Sequence, residues 1–86
     1  MTKVSWSKRA LKQLGTIDTR YRRRIKDKVG ELSTFPDVNL DLKKLESSGK
    51  RYRLRVGDYR IIFELINGEP QVCEILEVKR RTTTTY

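Results

Sequence analysis

The sequence predicts an α+β domain: an N-terminal strand, a two-helix hairpin, then an antiparallel three-stranded meander, with the helices packed on one face of the sheet. Three observations point there. Apolar residues recur every three or four positions from Ala10 to Leu32, then every second position from Tyr52 onward. The turn dipeptides Gly57-Asp58 and Asn67-Gly68 divide the second half into three β-like segments. With 86 residues there is room for one domain, residues 1–86, and one small core.

Lys3-Val4-Ser5-Trp6 alternates polar and apolar, as a strand with Val4 and Trp6 on one face requires. Ser7 is an N-cap residue, and Ala10, Leu11, Leu14 and Ile17 form an apolar stripe, so a first helix spans about 8–14 and ends near Gly15. Thr16 or Asp18 caps a second helix in which Ile17, Tyr21, Ile25, Val29 and Leu32 face the core. That helix runs to about Thr34, because a residue before Pro36 avoids helical angles. Its outer face carries Arg20, Arg23, Arg24, Lys26 and Lys28, the composition of a solvated surface. Residues 36–51 mix turn formers with Val38, Leu40, Leu42 and Leu45 and read as an irregular connection pinned by its leucines. Tyr52–Val56, Tyr59–Leu65 and Val72–Val78 supply the meander, and a polar tract, Thr82–Thr85, precedes Tyr86.

Twenty Lys and Arg against eleven Asp and Glu give a net charge of +9, which calls for a polyanionic partner, nucleic acid first. The absence of His removes Ser-His-Asp and Cys-His nucleophile systems and His-ligated zinc; neither a metal nor any other cofactor is expected. Cys73 is the sole cysteine, so no intramolecular disulfide forms, and it reads as a small core residue in a cytoplasmic protein. No apolar run of about seven residues marks a signal peptide and none of about 18 marks a membrane span, so no membrane partner is expected.

A two-residue Gly57-Asp58 loop fixes the pairing of its flanking strands: Val56 opposes Tyr59, Arg55 opposes Arg60, Leu54 opposes Ile61 and Arg53 opposes Ile62. Arg53, Arg55 and Arg60 then share one face. Like charges directly opposite repel, at a cost of a few tenths to about 1 kcal/mol. A phosphate reverses the sign, because guanidinium forks bind its oxygens in bidentate fashion. Lys79-Arg80-Arg81 ends the last strand, with Tyr86 close behind. The loop after Ile66 holds two residues or three, and each choice puts Arg80 on a different face.

Leu42-Lys43-Lys44-Leu45, the run Tyr52-Arg53-Leu54-Arg55-Val56-Gly57-Asp58-Tyr59-Arg60-Ile61-Ile62-Phe63, and Lys79-Arg80-Arg81 with an aromatic tail residue resemble the RelE/ParE superfamily of bacterial toxins, in its RelE-like branch. The resemblance spans nearly the whole chain and implies the RelE-like microbial RNase fold. It implies a type II toxin that enters the 70S ribosome and cuts mRNA in the A site, and a cognate antitoxin that inactivates it. Carried over residue by residue, it makes Arg55, Arg60, Arg80 and Tyr86 catalytic and Arg53, Lys79 and Arg81 RNA-binding. Positions 53 and 55 are often Lys in the family; Arg there is a poor general base. The chemistry implied is metal-independent attack of a 2′-OH on the adjacent phosphorus, giving a 2′,3′-cyclic phosphate and a 5′-OH, with Tyr86 either as base or stacked on the scissile nucleotide. The alternative within the superfamily is a ParE-like inhibitor of DNA gyrase without nuclease activity.

Overall fold

The computed structural model describes residues 2–35, 39–45 and 50–80. In chain order it contains β1 (Thr2–Trp6), α1 (Lys8–Gly15), α2 (Thr19–Gly30), a 3₁₀ turn (Glu31–Thr34), β2 (Leu42–Lys44), β3 (Arg51–Val56), β4 (Tyr59–Ile66) and β5 (Gln71–Arg80). The strands form one sheet in the order β1-β5-β4-β3-β2, with β1 parallel to β5 and every other pair antiparallel.

The class is the expected one, but the sheet has more strands than a first strand plus a meander. Part of the supposed irregular connection is β2, pairing Leu42 with Leu54 and Lys44 with Tyr52. Only three residues long and surrounded by turn formers, it has too little alternation to register as a strand.

The helix ends follow local chemistry. Ser7 caps α1, its hydroxyl accepting from Ala10 N–H at 3.0 Å while donating to the Leu76 carbonyl at 3.2 Å. Asp18, not Thr16, caps α2, accepting from Arg20 N–H at 2.9 Å; Thr16 terminates α1 instead. Arg22 Nη2 donates to the Ile17 and Gly15 carbonyls at 3.0 and 3.3 Å, tying the hairpin turn. The second helix is shorter than expected: it stops at Gly30, and the 3₁₀ turn carries the chain to Thr34. Phe35 is then extended, φ −53° and ψ 136°, as the residue before Pro36 must be.

Ile25, Val29 and Leu32 bury against Leu54, Ile61, Phe63, Cys73 and Ile75, all fully enclosed. The Phe63 ring stacks on Tyr52 at 5.4 Å and meets Phe35 edge-on at 6.2 Å. Two stripe residues do not follow the expectation: Leu11 is 50% and Tyr21 45% exposed. For Leu11 the cause is the position of α1, which continues the lane of β1 along the edge of β5. Gln13 Oε1 accepts from the Val78 N–H at 2.7 Å, so a helix side chain satisfies a strand edge that would otherwise lie open. Only the side of α1 carrying Ala10 and Leu14 is buried.

A bulge in β5 decides which side chains face where. Ile62 pairs with Glu77 but Phe63 pairs with Ile75, leaving Leu76 as the extra residue. The β4–β5 connection is also longer than the two or three residues expected, spanning 67–70 between Ile66 and Gln71. No described helix is long and apolar enough to cross a membrane.

A cationic row on the open face of the sheet

The β3–β4 register is the one the Gly57-Asp58 loop requires, with Gly57 at φ +59°, the left-handed angle its place in a two-residue turn demands. The face away from the helices is built in transverse rows. The first joins Arg55, Arg60 and Lys79, directly opposite one another on β3, β4 and β5. The second runs Lys43, Arg53, Ile62 and Glu77 across β2 to β5. The third holds Arg51, Glu64 and Glu74. Charge therefore changes from wholly positive at the hairpin end to mixed at the other.

Carboxylates neutralise this face unevenly. Arg51 Nε meets Glu64 Oε2 at 3.6 Å. Glu77 takes Arg9 Nη2 at 3.1 Å and Lys79 Nζ at 3.5 Å. Arg55 and Arg60 make no ion pair with a carboxylate among the described residues. Arg53 is half-buried, and its Nε is enclosed without a hydrogen-bond partner. A cleft of about 260 Å³ opens beside Arg60 and Lys79, bounded also by Leu45, Arg51, Ile62 and Glu77. Such an array of fixed donors with unmatched charge stabilises an anion, and most of all one whose charge grows during reaction.

Arg80 is not part of this array. The bulge at Leu76 exchanges the facing of Lys79 and Arg80: Lys79 joins Arg60 on the open face, and Arg80 comes opposite Tyr59 on the helix side. There it lines a cleft of about 360 Å³ with Gln13, Asp18, Tyr21 and Tyr59. The structure thus brings together Arg53, Arg55, Arg60 and Lys79 and separates Arg80 from them. Arg81 and Tyr86 lie outside the described residues.

Arg9 joins the open face without having been singled out by sequence, and Lys43 and Glu77 take places there that periodicity did not assign. Lys43 arrives with the unrecognised β2. The Arg9–Glu77 pair joins α1 to β5 across most of the chain, and no local pattern signals it. Cys73 is fully buried and unpaired, and burial pushes its thiol up to about 11, which suits a core residue and not a nucleophile. The backbone N–H of Arg20, then its guanidinium, hold the Asp18 carboxyl below its ordinary 3.8 despite some desolvation.

The family model for the ParE toxin of type II toxin–antitoxin systems, parDE, matches residues 4–84. Toxin RelE3 of Methanocaldococcus jannaschii is 37% identical over 70 residues, 78% of either chain. Among solved structures, the archaeal RelE–RelB complex from Pyrococcus horikoshii superposes with a TM-score of 0.78 at 31% identity, covering 96% of this chain and 98% of that one. The isolated E. coli RelE toxin shares the fold, with a TM-score of 0.77 at 20% identity over 95% of this chain and 86% of that one.

Proposed function

The chain belongs to the RelE-like branch of the RelE/ParE toxin family of type II toxin–antitoxin systems, and on that premise we propose that it is an mRNA endoribonuclease acting in the ribosomal A site. The observation that carries this reading is the row Arg55–Arg60–Lys79. Three cations stand side by side, two of them without a carboxylate partner among the described residues, at a cost to the free fold. A bound phosphodiester removes that cost.

In the proposed reaction the 2′-oxygen of one nucleotide attacks its own 3′ phosphorus. A P–O bond forms, the bond to the 5′-oxygen of the next nucleotide breaks, and the products are a 2′,3′-cyclic phosphate and a 5′-OH. Arg55, Arg60 and Lys79 face the nonbridging oxygens as phosphorus becomes five-coordinate, a role in which one preorganised donor contributes about 3 kcal/mol. Arg53, held at the floor of the same face, anchors the backbone. The 2′-OH proton goes to Tyr86, whose phenolate is favoured beside so many cations, and the departing 5′-oxygen takes up a proton from water to leave as the 5′-OH. Tyr86 is six residues beyond Arg80, a span of at most about 20 Å in extended chain, enough to reach the row. Arg81, in the same tail, adds backbone contacts. Arg80, on the far side of the sheet, does not share this phosphate and acts on the RNA beyond it.

RelE of P. horikoshii was crystallised with RelB, and by the same logic this toxin is held inactive in the cytoplasm by a RelB-like antitoxin. Acidic or apolar antitoxin segments suit a +9 chain and its arginine face.

The matching family carries the ParE description, which favours a second reading, a gyrase poison that cuts no RNA. Inducing wild type and Arg60→Ala in bacteria and mapping mRNA 5′ ends on ribosomes separates the two. The nuclease reading expects codon-positioned 5′-OH ends from wild type and at least a hundredfold fewer from Arg60→Ala, the scale on which loss of one such donor acts. Intact mRNA with cleaved DNA–gyrase complexes establishes the second reading.

A further inference from the structure

We propose that the cleft on the helix side of the sheet is a base-stacking subsite for single-stranded RNA. A strand whose phosphate lies on the Arg55–Arg60–Lys79 row crosses the end of the sheet and seats a neighbouring base against Tyr21 and Tyr59, with Arg80 on its backbone. This inference rests on reading the row as an RNA phosphate site.

Continuity along the strands is the first argument. Tyr59 precedes Arg60 and Arg80 follows Lys79, so the pair Tyr59–Arg80 is the transverse row next to the cationic one, projecting through the opposite face. Both rows are at the hairpin end of the sheet. A chain leaving the phosphate site over that end meets Tyr59 and Arg80 next.

The second argument is the chemistry of the cleft. Tyr21 and Tyr59 are 5.8 Å apart with planes inclined at 46°, and Arg20 lies 5.9 Å from the Tyr21 ring centre. Tyr21 is 45% exposed where a stabilising helix position would bury it. A half-exposed aromatic pair flanked by guanidinium groups is what an unstacked base requires, because every base offers a π-face to rings and arginine planes. The volume, about 360 Å³, falls within the range of small-ligand sites, about 300–1,000 Å³. Its one lining carboxylate, Asp18, already accepts from the Arg20 backbone and guanidinium at 2.9 and 3.4 Å.

The third argument is the arrangement of charge around the rings. Arg80 flanks the pair within the larger cleft, and Arg24, together with Asp58, lines a smaller one of about 130 Å³ that shares both rings. A cation in each cleft, with the rings common to both, suits an alternating chain of phosphates and bases better than an apolar protein segment.

The test uses the intact protein and a short RNA carrying 2-aminopurine, 2′-O-methylated throughout so that no 2′-oxygen can attack. Wild type is expected to bind and to quench the 2-aminopurine. Tyr21→Ala, at an exposed position, is expected to lose the quench and about tenfold in affinity, within the ~1–3 kcal/mol range of base–aromatic stacking. Its salt dependence should stay unchanged, whereas Arg80→Ala should flatten the salt slope by about 0.7, the loss of one single-strand phosphate contact. Tyr21→Trp should restore the quench. If Tyr21→Ala binds and quenches like wild type while Arg60→Ala does not bind, the stacking subsite is wrong and the phosphate row stands. If wild type fails to bind at low salt, the subsite and the RNA reading fall together. A Tyr21→Ala protein that keeps RNA but loses an antitoxin gives the cleft to a protein and overturns the proposal.

Discussion

The two faces of the sheet obey opposite rules. On the helix side Leu54, Ile61, Phe63, Cys73 and Ile75 are completely buried, each choice lowering the free energy of the isolated chain. On the open side, Arg55, Arg60 and Lys79 stand abreast, and only Lys79 has a carboxylate partner among the described residues. The first face explains why the domain exists without a ligand. The second carries like-charge repulsion that a bound anion would relieve, and the contrast picks out a candidate site more sharply than net charge does.

The largest effect belongs to the buried face. Phe63→Ala removes a fully enclosed ring stacked on Tyr52, and chemical denaturation should register a loss of about 3–5 kcal/mol. Next comes the edge where the two faces meet: Gln13→Ala leaves the Val78 N–H without its acceptor, a loss of about 1–3 kcal/mol, and should speed hydrogen exchange at that amide. Glu77→Gln tests the open face in the other direction. Surface ion pairs are worth about 0–1 kcal/mol, so stability should fall slightly, while phosphate should bind more tightly because Lys79 and Arg9 lose a competing carboxylate. If phosphate affinity falls instead, Glu77 organises the site and does not compete with it.

The smallest effect sits at the start of α2. Asn caps a helix as well as Asp, so Asp18→Asn isolates the charge. The Asp18 carboxyl titrates below 3.8 when folded, so the wild-type advantage should be full above that pH and fade as the pH drops through the lowered value. An advantage that persists in acid would contradict the assignment.

What the sequence revealed and what it concealed have physical reasons. The β3–β4 register was legible because a glycine at positive φ and a two-residue loop leave a single pairing, and every cross-strand partner followed. The core positions of β3 and β4 followed with it. The facing of Arg80 was not legible: a single unpaired residue, Leu76, reverses the parity of all that follows, and nothing in Ile75-Leu76-Glu77 marks a bulge. The Arg9–Glu77 pair and the Tyr21–Tyr59 cleft come from tertiary packing of α1 and α2, which local periodicity cannot encode. The longest motif of the family resemblance, Tyr52 to Phe63, is the hairpin itself, the most local part of the site, so the fold it implies is legible without the bulge.

The central claim is that the cationic row is a strained anion site. Its most direct test is the thermal midpoint of wild type and Arg60→Ala, with and without inorganic phosphate. Relief of like-charge contacts worth a few tenths to about 1 kcal/mol should make Arg60→Ala melt higher than wild type without anion, and most of the phosphate-induced gain should vanish. A variant that melts lower and keeps the full gain would mean that Arg60 supports the fold and phosphate binds elsewhere.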